Sequence, residues 1–354
     1  MIKVIVVDDS ALMRKFLSEI LSTDNDIKVI NTARDGIDAL EKIKIEKPDV
    51  ITLDIEMPNM NGMETLKAIK KNYPKIQVVM ISSLTTEHAQ ITIKALEFGA
   101  FDFIPKPSGR SIDINIKKST EEIISKVKNA NYSKSKIIIK NPIFALTKLE
   151  KKEEYSEKIL KNNHLNKIIA IGISTGGPNA IMEVLPKLPQ DLKACILIVQ
   201  HMPAGFTKAF AERLNSVSKL YVKEAENNDV CSDGKVFLAP GNYHLKVRRQ
   251  GVNLIIDIAQ DDPVNRHRPS ADVLFESVAK NYSRNTMGII MTGMGSDGAK
   301  NIGMIKKFGG YTIGQDEKTS IVYGMPRVAN ELGNLDKVVS LYDIHKEIID
   351  FTNK

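Results

Sequence analysis

Two sets of side chains carry groups that could work together. The first comprises Asp8, Asp9, Asp54, Ser82 and Lys106: three carboxylates, a hydroxyl and an ammonium. Carboxylates gathered at one place repel unless a divalent cation sits among them, and Mg²⁺ is the hard cation expected there, held by one or two carboxylates plus waters. A hydroxyl and an ammonium beside it would suit an arriving phosphoryl group. The second set is Ser174, His201 and Asp297. Serine is a poor nucleophile until a base takes its proton, and the base needs a third group to hold its tautomer and steady its charge. Backbone amides at Thr175 and in the glycine-rich 292–298 loop, Met294 foremost, would stabilise an oxyanion by about 3–4 kcal/mol per donor.

Side chains so far apart in sequence meet only if the elements beneath them bring them to one edge. Ile2–Val7 is a continuous β-branched run, the pattern of a strand buried on both faces of a parallel sheet. It ends in Asp8 and Asp9, and Ser10 can cap the helix after it. Val50–Leu53 delivers Asp54, Val78–Ile81 delivers Ser82, and Phe101–Ile104 delivers Lys106. Strands alternating with helices at this spacing imply a parallel sheet whose functional groups collect at its carboxyl edge.

The second half repeats the logic. In KIIAIGISTGGPNA a strand-type run breaks at Gly172, presents Ser174 and passes through Gly176, Gly177 and Pro178 into a helical pattern. Such a turn holds a hydroxyl clear of its neighbours and aims helix-start amides at whatever it attacks. Ala194–Val199 leads to Gln200 and His201, and Met287–Met291 leads into TGMGSDGAKNIGMI, which places Asp297 among glycines at the start of a helix. Between them VFLAPGNYHLKV and VNLIIDIAQ alternate as a β-hairpin insertion would. The expected fold class is α/β throughout: a five-stranded parallel sheet, then a doubly wound, mainly parallel α/β domain carrying the hairpin.

Bulk properties agree. A chain of 354 residues exceeds what one core usually covers, so two domains are expected. Its apolar runs are strand-length, far short of the roughly 20 residues that span a bilayer, and the N-terminus turns acidic too soon for a signal peptide, which together predict a cytoplasmic protein without membrane insertion. Cys195, in an apolar run, reads as a core filler, and Cys231, in a polar one, as a loop thiol. The net charge of +7 invites a nucleic-acid reading until it is divided: residues 1–130 carry 19 basic and 19 acidic side chains, 131–166 carry 8 and 4, and 167–354 carry 23 and 20. No basic face broad enough to grip phosphates is indicated. Residues 126–166 read as a linker; without glycine between 131 and 166, it is a semi-stiff spacer.

At VVDDS, DIEMPNMNG, SS and IPKP the first 125 residues resemble a response-regulator receiver domain, a flavodoxin-like fold. The resemblance implies that Asp54 accepts a phosphoryl group from a chemotaxis histidine kinase. Asp9, Asp54 and the Glu56 carbonyl would hold Mg²⁺, with Asp8 reaching it through water, and Ser82 and Lys106 would contact the phosphoryl oxygens. Phe103 stands at the aromatic switch position, where tyrosine is common, and lacks the phenol. At GISTGGP, VQHMPAGFT, RPSADVLFES, TGMGSDGA and QDEKTSIVYGMP, residues 167–354 resemble the catalytic domain of the chemotaxis protein-glutamate methylesterases and protein-glutamine glutaminases. The family's serine, histidine and aspartate fall on Ser174, His201 and Asp297. This second resemblance implies hydrolysis of glutamate γ-methyl esters on chemoreceptor cytoplasmic helices, releasing methanol, and deamidation of certain glutamines, with no cofactor at the hydrolytic site. Arg266, His267 and Arg268 would hold neighbouring receptor carboxylates.

Two other readings fit less well. A dinucleotide site would need G-x-G-x-x-G and a strand ending in Asp or Glu, whereas the sequence has Gly172, Gly176 and Gly177, and a strand ending in Gln200-His201. A transcription factor would need a short helical output with a basic face. The expected regulation is that the receiver covers the Ser174 edge until Asp54 is phosphorylated.

Overall fold

The computed structural model describes residues 1–106, 112–133 and 164–354, with the backbone only for 112–119. The chain divides into two compact units, Met1–Ala145 and Leu146–Lys354.

In the first unit five strands, β1 (Ile2–Val7), β2 (Ile27–Ala33), β3 (Val50–Asp54), β4 (Gln77–Ser82) and β5 (Asp102–Pro105), form one sheet in the order β2-β1-β3-β4-β5. Every pairing is parallel. The strands carry the β-branched runs the sequence displays, and Val4 to Val7 are fully buried because helices cover both faces. Helix starts are fixed by side-chain caps: Ser10 on Met13, Asp35 on Asp38, Thr85 on His88, and Asn61 in a reciprocal capping box with Glu64. Strand order reverses between β1 and β3, the point at which parallel sheets open a crevice.

The boundary at residue 125 needs correcting. The last helix of this unit runs Ile112–Tyr132, because Ile123, Val127 and Ala130 recur at helical spacing and are all buried. Lys128, past the expected boundary, pairs with Asp24 and Asp26. The remaining spacer reading, residues 134–163, lies outside the described residues.

The second unit is built on seven strands. β6 (Ile168–Ile173), β7 (Cys195–Gln200), β8 (Tyr221–Glu224) and β9 (Lys235–Leu238) come first; an antiparallel pair, β10 (His244–Gln250) with β11 (Asn253–Ala259), stands apart from the sheet; β12 (Thr286–Ile290), β13 (Tyr311–Gln315) and β14 (Lys337–Val339) complete it. The order is β14-β13-β12-β6-β7-β9-β8, parallel throughout. β6 is central and buried along its whole length. The pair β10–β11 supplies the predicted hairpin, but residues 236–238, which the sequence reading places in that insertion, belong to β9 and pair parallel with β7 and β8 in the main sheet. Leu245, Val247, Leu254 and Ile256 share one core with Leu274, Phe275 and Val278 of the Ala271–Tyr282 helix. Cys231 is 1% exposed within that core, so the loop-thiol expectation fails; its amide bonds to the Leu254 carbonyl, which draws a polar stretch under the hairpin. Among the described residues no helix is long and apolar enough to cross a membrane.

Candidate functional site

Ser174 and His201 follow neighbouring strands. Ile173 and Gln200 are register partners at the ends of β6 and β7, and the His201 amide donates to the Ile173 carbonyl at 3.1 Å, so the next side chains leave the sheet beside each other. On the other flank β12 ends and the Ser174 amide donates to the Thr292 carbonyl at 3.0 Å. The turn after Ser174 places Gly176 at φ +76°, where a Cβ would also strike Ile321, and opens the Gly177–Val184 helix with Pro178 in its first turn. Gln200 ties nucleophile to base: its Nε2 donates to the Ser174 carbonyl at 3.1 Å and the His201 carbonyl at 3.0 Å.

Asp297 completes the arrangement from the loop after β12. Its Oδ2 accepts from His201 Nε2 at 2.8 Å. With that nitrogen donating, His201 Nδ1 carries the lone pair, and it is buried without a hydrogen-bond partner among the described residues. No hydrogen bond joins it to Ser174, whose side chain is nearly buried. An uncommitted imidazole nitrogen beside a serine at a strand end is what a general base requires.

Asp297 is not at the start of its own helix, as the sequence reading has it; the next helix begins only at Ile302. It sits instead on the amino end of a different one, Ala271–Tyr282. The Ala271 amide donates to Oδ2 at 2.6 Å, and Oδ1 accepts from Ser270 Oγ at 2.6 Å and Asn265 Nδ2 at 2.8 Å. Burial works to raise the Asp297 pKa, but the His201 hydrogen bond and charge, with Ser270 and Asn265, hold it well below the usual carboxylate range. The aspartate is therefore ionised at any working pH. His244 of β10 braces this end, accepting from the Ser270 amide at Nδ1 and meeting the Asp262 carbonyl with Nε2.

Of the expected oxyanion donors, Thr175 directly follows Ser174, and Met294 lies in the loop after β12. Thr175 is buried, and its amide meets no acceptor among the described residues. Thr292 supports it by donating to the Thr175 carbonyl at 3.0 Å, while its own amide bonds Gln315 Oε1 at 2.9 Å. Gly293 passes so close that a Cβ there would stand 2.2 Å from Met325 Sδ and 2.8 Å from Ser174 Cβ. Met294 follows it, with a half-exposed side chain. Of the three residues expected to meet substrate, Arg268 is committed within the protein, bonding Asn242 Oδ1 of the β9–β10 connection and the carbonyls of Gln260 and Asp261 in its own loop. Arg266 is exposed, and His267 lies on the base itself, its ring stacked on His201 at 3.8 Å between centroids.

The acidic set gathers at the carboxyl edge of the first sheet. Ligand oxygens of Asp8, Asp9 and Asp54 lie within 4.8 Å of one another. Lys106 Nζ donates to Asp54 Oδ2 at 2.7 Å and lies 3.2 Å from Asp8 Oδ2, without the alignment of a hydrogen bond to the latter. Burial, with the Asp8 charge adding and Lys106 opposing, pushes the Asp54 carboxyl up to about 6. A buried oxygen on Asp8 that accepts no hydrogen bond among the described residues, beside two more carboxylates, fits a small divalent cation, whose charge would reverse that pressure. The Ser82 hydroxyl is already engaged: it accepts from Thr92 Oγ1 at 2.8 Å and donates to the Ser83 carbonyl at 3.3 Å. Glu56 pairs through its side chain with His88 at 2.5 Å, and Phe103 is buried with Lys126 over its ring.

Residues 169–348 match the family described as CheB methylesterase, slightly more than half the chain. The chain belongs to the CheB methylesterase family. Residues 4–114 match the response regulator receiver domain. A protein-glutamate methylesterase/protein-glutamine glutaminase of Pyrococcus horikoshii is 48% identical over 348 residues, covering 98% of this chain and 93% of its own. One of Archaeoglobus fulgidus is 44% identical over 353 residues, covering 99% and 97%. The solved CheB methylesterase catalytic domain of Thermotoga maritima aligns with a TM-score of 0.52 at 40% identity, over 52% of this chain and 98% of its own. The CheB fold thus accounts for the second unit and the receiver fold for the first. Asn265, Ser270, Gln200 and Thr292 escape sequence reasoning. Only Ser270 leaves a signal, as a cap-type residue before a helical pattern, yet it makes no cap bond to its own helix.

Proposed function

We propose that this chain is a protein-glutamate methylesterase and protein-glutamine glutaminase acting on chemoreceptor cytoplasmic helices, switched by phosphorylation of its receiver. The observation that carries the proposal is the ionised Asp297 holding His201 beside Ser174, in a chain similar over nearly its full length to enzymes of that name.

Ser174 Oγ attacks the γ-carbonyl carbon as His201 Nδ1 takes its proton. The oxyanion forms against the Thr175 and Met294 amides, and Asp297 offsets the imidazolium charge. His201 then passes the proton to the leaving oxygen, and methanol departs; from a glutamine the proton goes to nitrogen, and ammonia departs. Water, deprotonated by His201, attacks the acyl-serine and frees a glutamate carboxylate. Ester and amide share the same tetrahedral geometry, so one site serves both.

In the receiver, Asp54 is the phosphoryl acceptor and a chemotaxis histidine kinase the donor. Asp9, Asp54 and the Glu56 carbonyl would hold Mg²⁺, with Asp8 through water. When bound, the ion offsets the charge gathered between acceptor and phosphoryl group. Lys106 contacts the phosphoryl oxygens, Ser82 does so after leaving Thr92, and buried Phe103 follows as a hydrophobe. The working place is the cytoplasm, where receptor tails and kinase lie, and neither nucleic acid nor membrane insertion enters the activity.

The deciding experiment is methanol release from methylated receptor by wild type, Ser174→Ala and Asp54→Asn, with and without a small phosphodonor. Ser174→Ala should be inactive, and Asp54→Asn should keep basal turnover but lose stimulation. Activity surviving Ser174→Ala would remove the hydrolase mechanism, and stimulation surviving Asp54→Asn would remove the switch.

A further inference from the structure

The segment leading into the Ala271–Tyr282 helix contains a turn more tightly drawn than a connection requires. Val264 and His267 bond to each other through both amides, Val264 N to His267 O at 3.1 Å and His267 N to Val264 O at 2.9 Å. The two residues between them lie in the left-handed region, Asn265 at φ 53° and Arg266 at φ 67°. Two positive φ angles in a two-residue loop are the geometry of a type I′ turn, normally given to Asn-Gly. Asn tolerates that region, but Arg at the second position is strained, and such strain persists where the surroundings over-determine it.

What surrounds the turn is the charged pair of the hydrolytic site. Asn265 Nδ2 reaches Asp297 Oδ1 and, at 2.7 Å, Asp272 Oδ2. On the far side of the turn the His267 ring lies on the His201 ring, with centroids 3.8 Å apart and planes 8° from parallel. One turn therefore plants one side chain on the acid and another on the base.

The stack answers a geometric need. The hydrogen bond from Nε2 to Asp297 fixes one corner of the His201 imidazole but leaves the ring free to tilt about it, and Nδ1 has no hydrogen-bond partner among the described residues to stop that. A parallel ring against its face removes the tilt. It also presents a π-surface to a ring that becomes cationic once Ser174 is deprotonated, an attraction that ring stacking and cation–π contacts supply.

We infer that His267 is a positioning residue of the hydrolytic reaction, holding His201 by face-to-face stacking, rather than a substrate-binding cation. This deepens the methylesterase reading and rests on it. The test is steady-state methanol release from a methylated receptor fragment by the full chain, at fixed phosphodonor, for wild type, His267→Ala, His267→Leu, His267→Phe and Ser174→Ala. His267→Ala and His267→Leu should lower kcat by about tenfold with KM within about twofold of wild type, and His267→Phe should recover to within about threefold. Leu keeps volume without a π-face, so it preserves the comparison should the alanine variant fold poorly. Unchanged kcat in the alanine or leucine variant would overturn the inference, as would a rise in KM alone, which belongs to a substrate contact. A phenylalanine variant as slow as leucine would also overturn it by pointing to the imidazole's own nitrogens. Ser174→Ala separates the levels: if it stays active the methylesterase mechanism falls, and if it is dead while His267→Leu matches wild type only the stacking role falls.

Discussion

Replacing Asp297 by asparagine probes how the second unit holds its base. Four close donors converge on the carboxylate: Asn265 and Ser270 on Oδ1, His201 and Ala271 on Oδ2. Asparagine keeps one acceptor oxygen and turns an NH₂ toward the other pair. If the NH₂ takes the Oδ2 position it faces the Ala271 amide and forces His201 to accept at Nε2, so the proton moves to Nδ1, where the base is needed. If it takes the Oδ1 position it faces Asn265 Nδ2, which cannot flip without turning its oxygen on Asp272. Either way a buried donor is left unmet, costing about 1–3 kcal/mol of stability. Losing the charge-assisted partner of the imidazolium costs about a further 1.5–3 kcal/mol in the transition state, and with the tautomer disturbed kcat should fall by about 10²-fold or more. The assays are methanol release at neutral pH and the unfolding midpoint of the catalytic unit from pH 7 to pH 3. The folded-state pKa of Asp297 is depressed, so its contribution to stability is complete above the unfolded carboxylate value of about 4 and drains away as pH falls below it. The stability gap between wild type and Asp297→Asn should therefore be widest at neutral pH and narrow below about pH 4. A variant within about threefold of wild-type kcat, or a gap that does not change with pH, would refute the reasoning.

Other perturbations test separate links. Gly293→Ala forces a Cβ between Met325 Sδ and Ser174 Cβ, so it should reduce turnover at least about tenfold while receiver phosphorylation, read with a small phosphodonor, is unaffected. Thr92→Val removes the hydroxyl bonded to Ser82 Oγ and so frees Ser82 for a phosphoryl oxygen; one neutral hydrogen bond corresponds to roughly a two- to tenfold gain in phosphorylation rate, and a slower rate would show that Thr92 does not restrain Ser82. A receiver fragment ended at residue 125 should be less stable to urea than one ended at 133 by about 2–4 kcal/mol, since it loses the buried Val127 and Ala130; equal stability would restore the shorter boundary.

Much of the fold is written in local pattern. The β-branched runs of β1, β3, β4, β6 and β7 are readable because strands buried on both faces must be apolar throughout, and reactive residues at their carboxyl ends follow from how parallel sheets open. Ser174, His201 and Asp54 were legible for that reason. Less legible was whatever depended on a side chain serving a distant element. Ser270 looks like a helix cap but spends its hydroxyl on Asp297, and in the NRHRPS stretch, where the sequence suggests substrate contacts, the bond from Asn265 to Asp297 and the stacking of His267 on His201 are visible only once the stretch lies over that pair. The end of the receiver was misplaced because a charged surface, EEIISKVKNANY, hides a three-residue buried stripe.

The central place of β6 has a consequence for synthesis. Its partner on one side, β7, leaves the ribosome soon after it, but Ile168 pairs on the other side with Thr286, more than a hundred residues downstream. Until β12 and the loop behind it emerge, the Ser174 turn has a base beside it and no aspartate to hold that base. On the proposed mechanism, a nascent or truncated chain would therefore carry a complete receiver unit while its hydrolytic site is still unassembled. Assembly of the proposed Ser174–His201–Asp297 site is thus among the last steps in the folding of the chain.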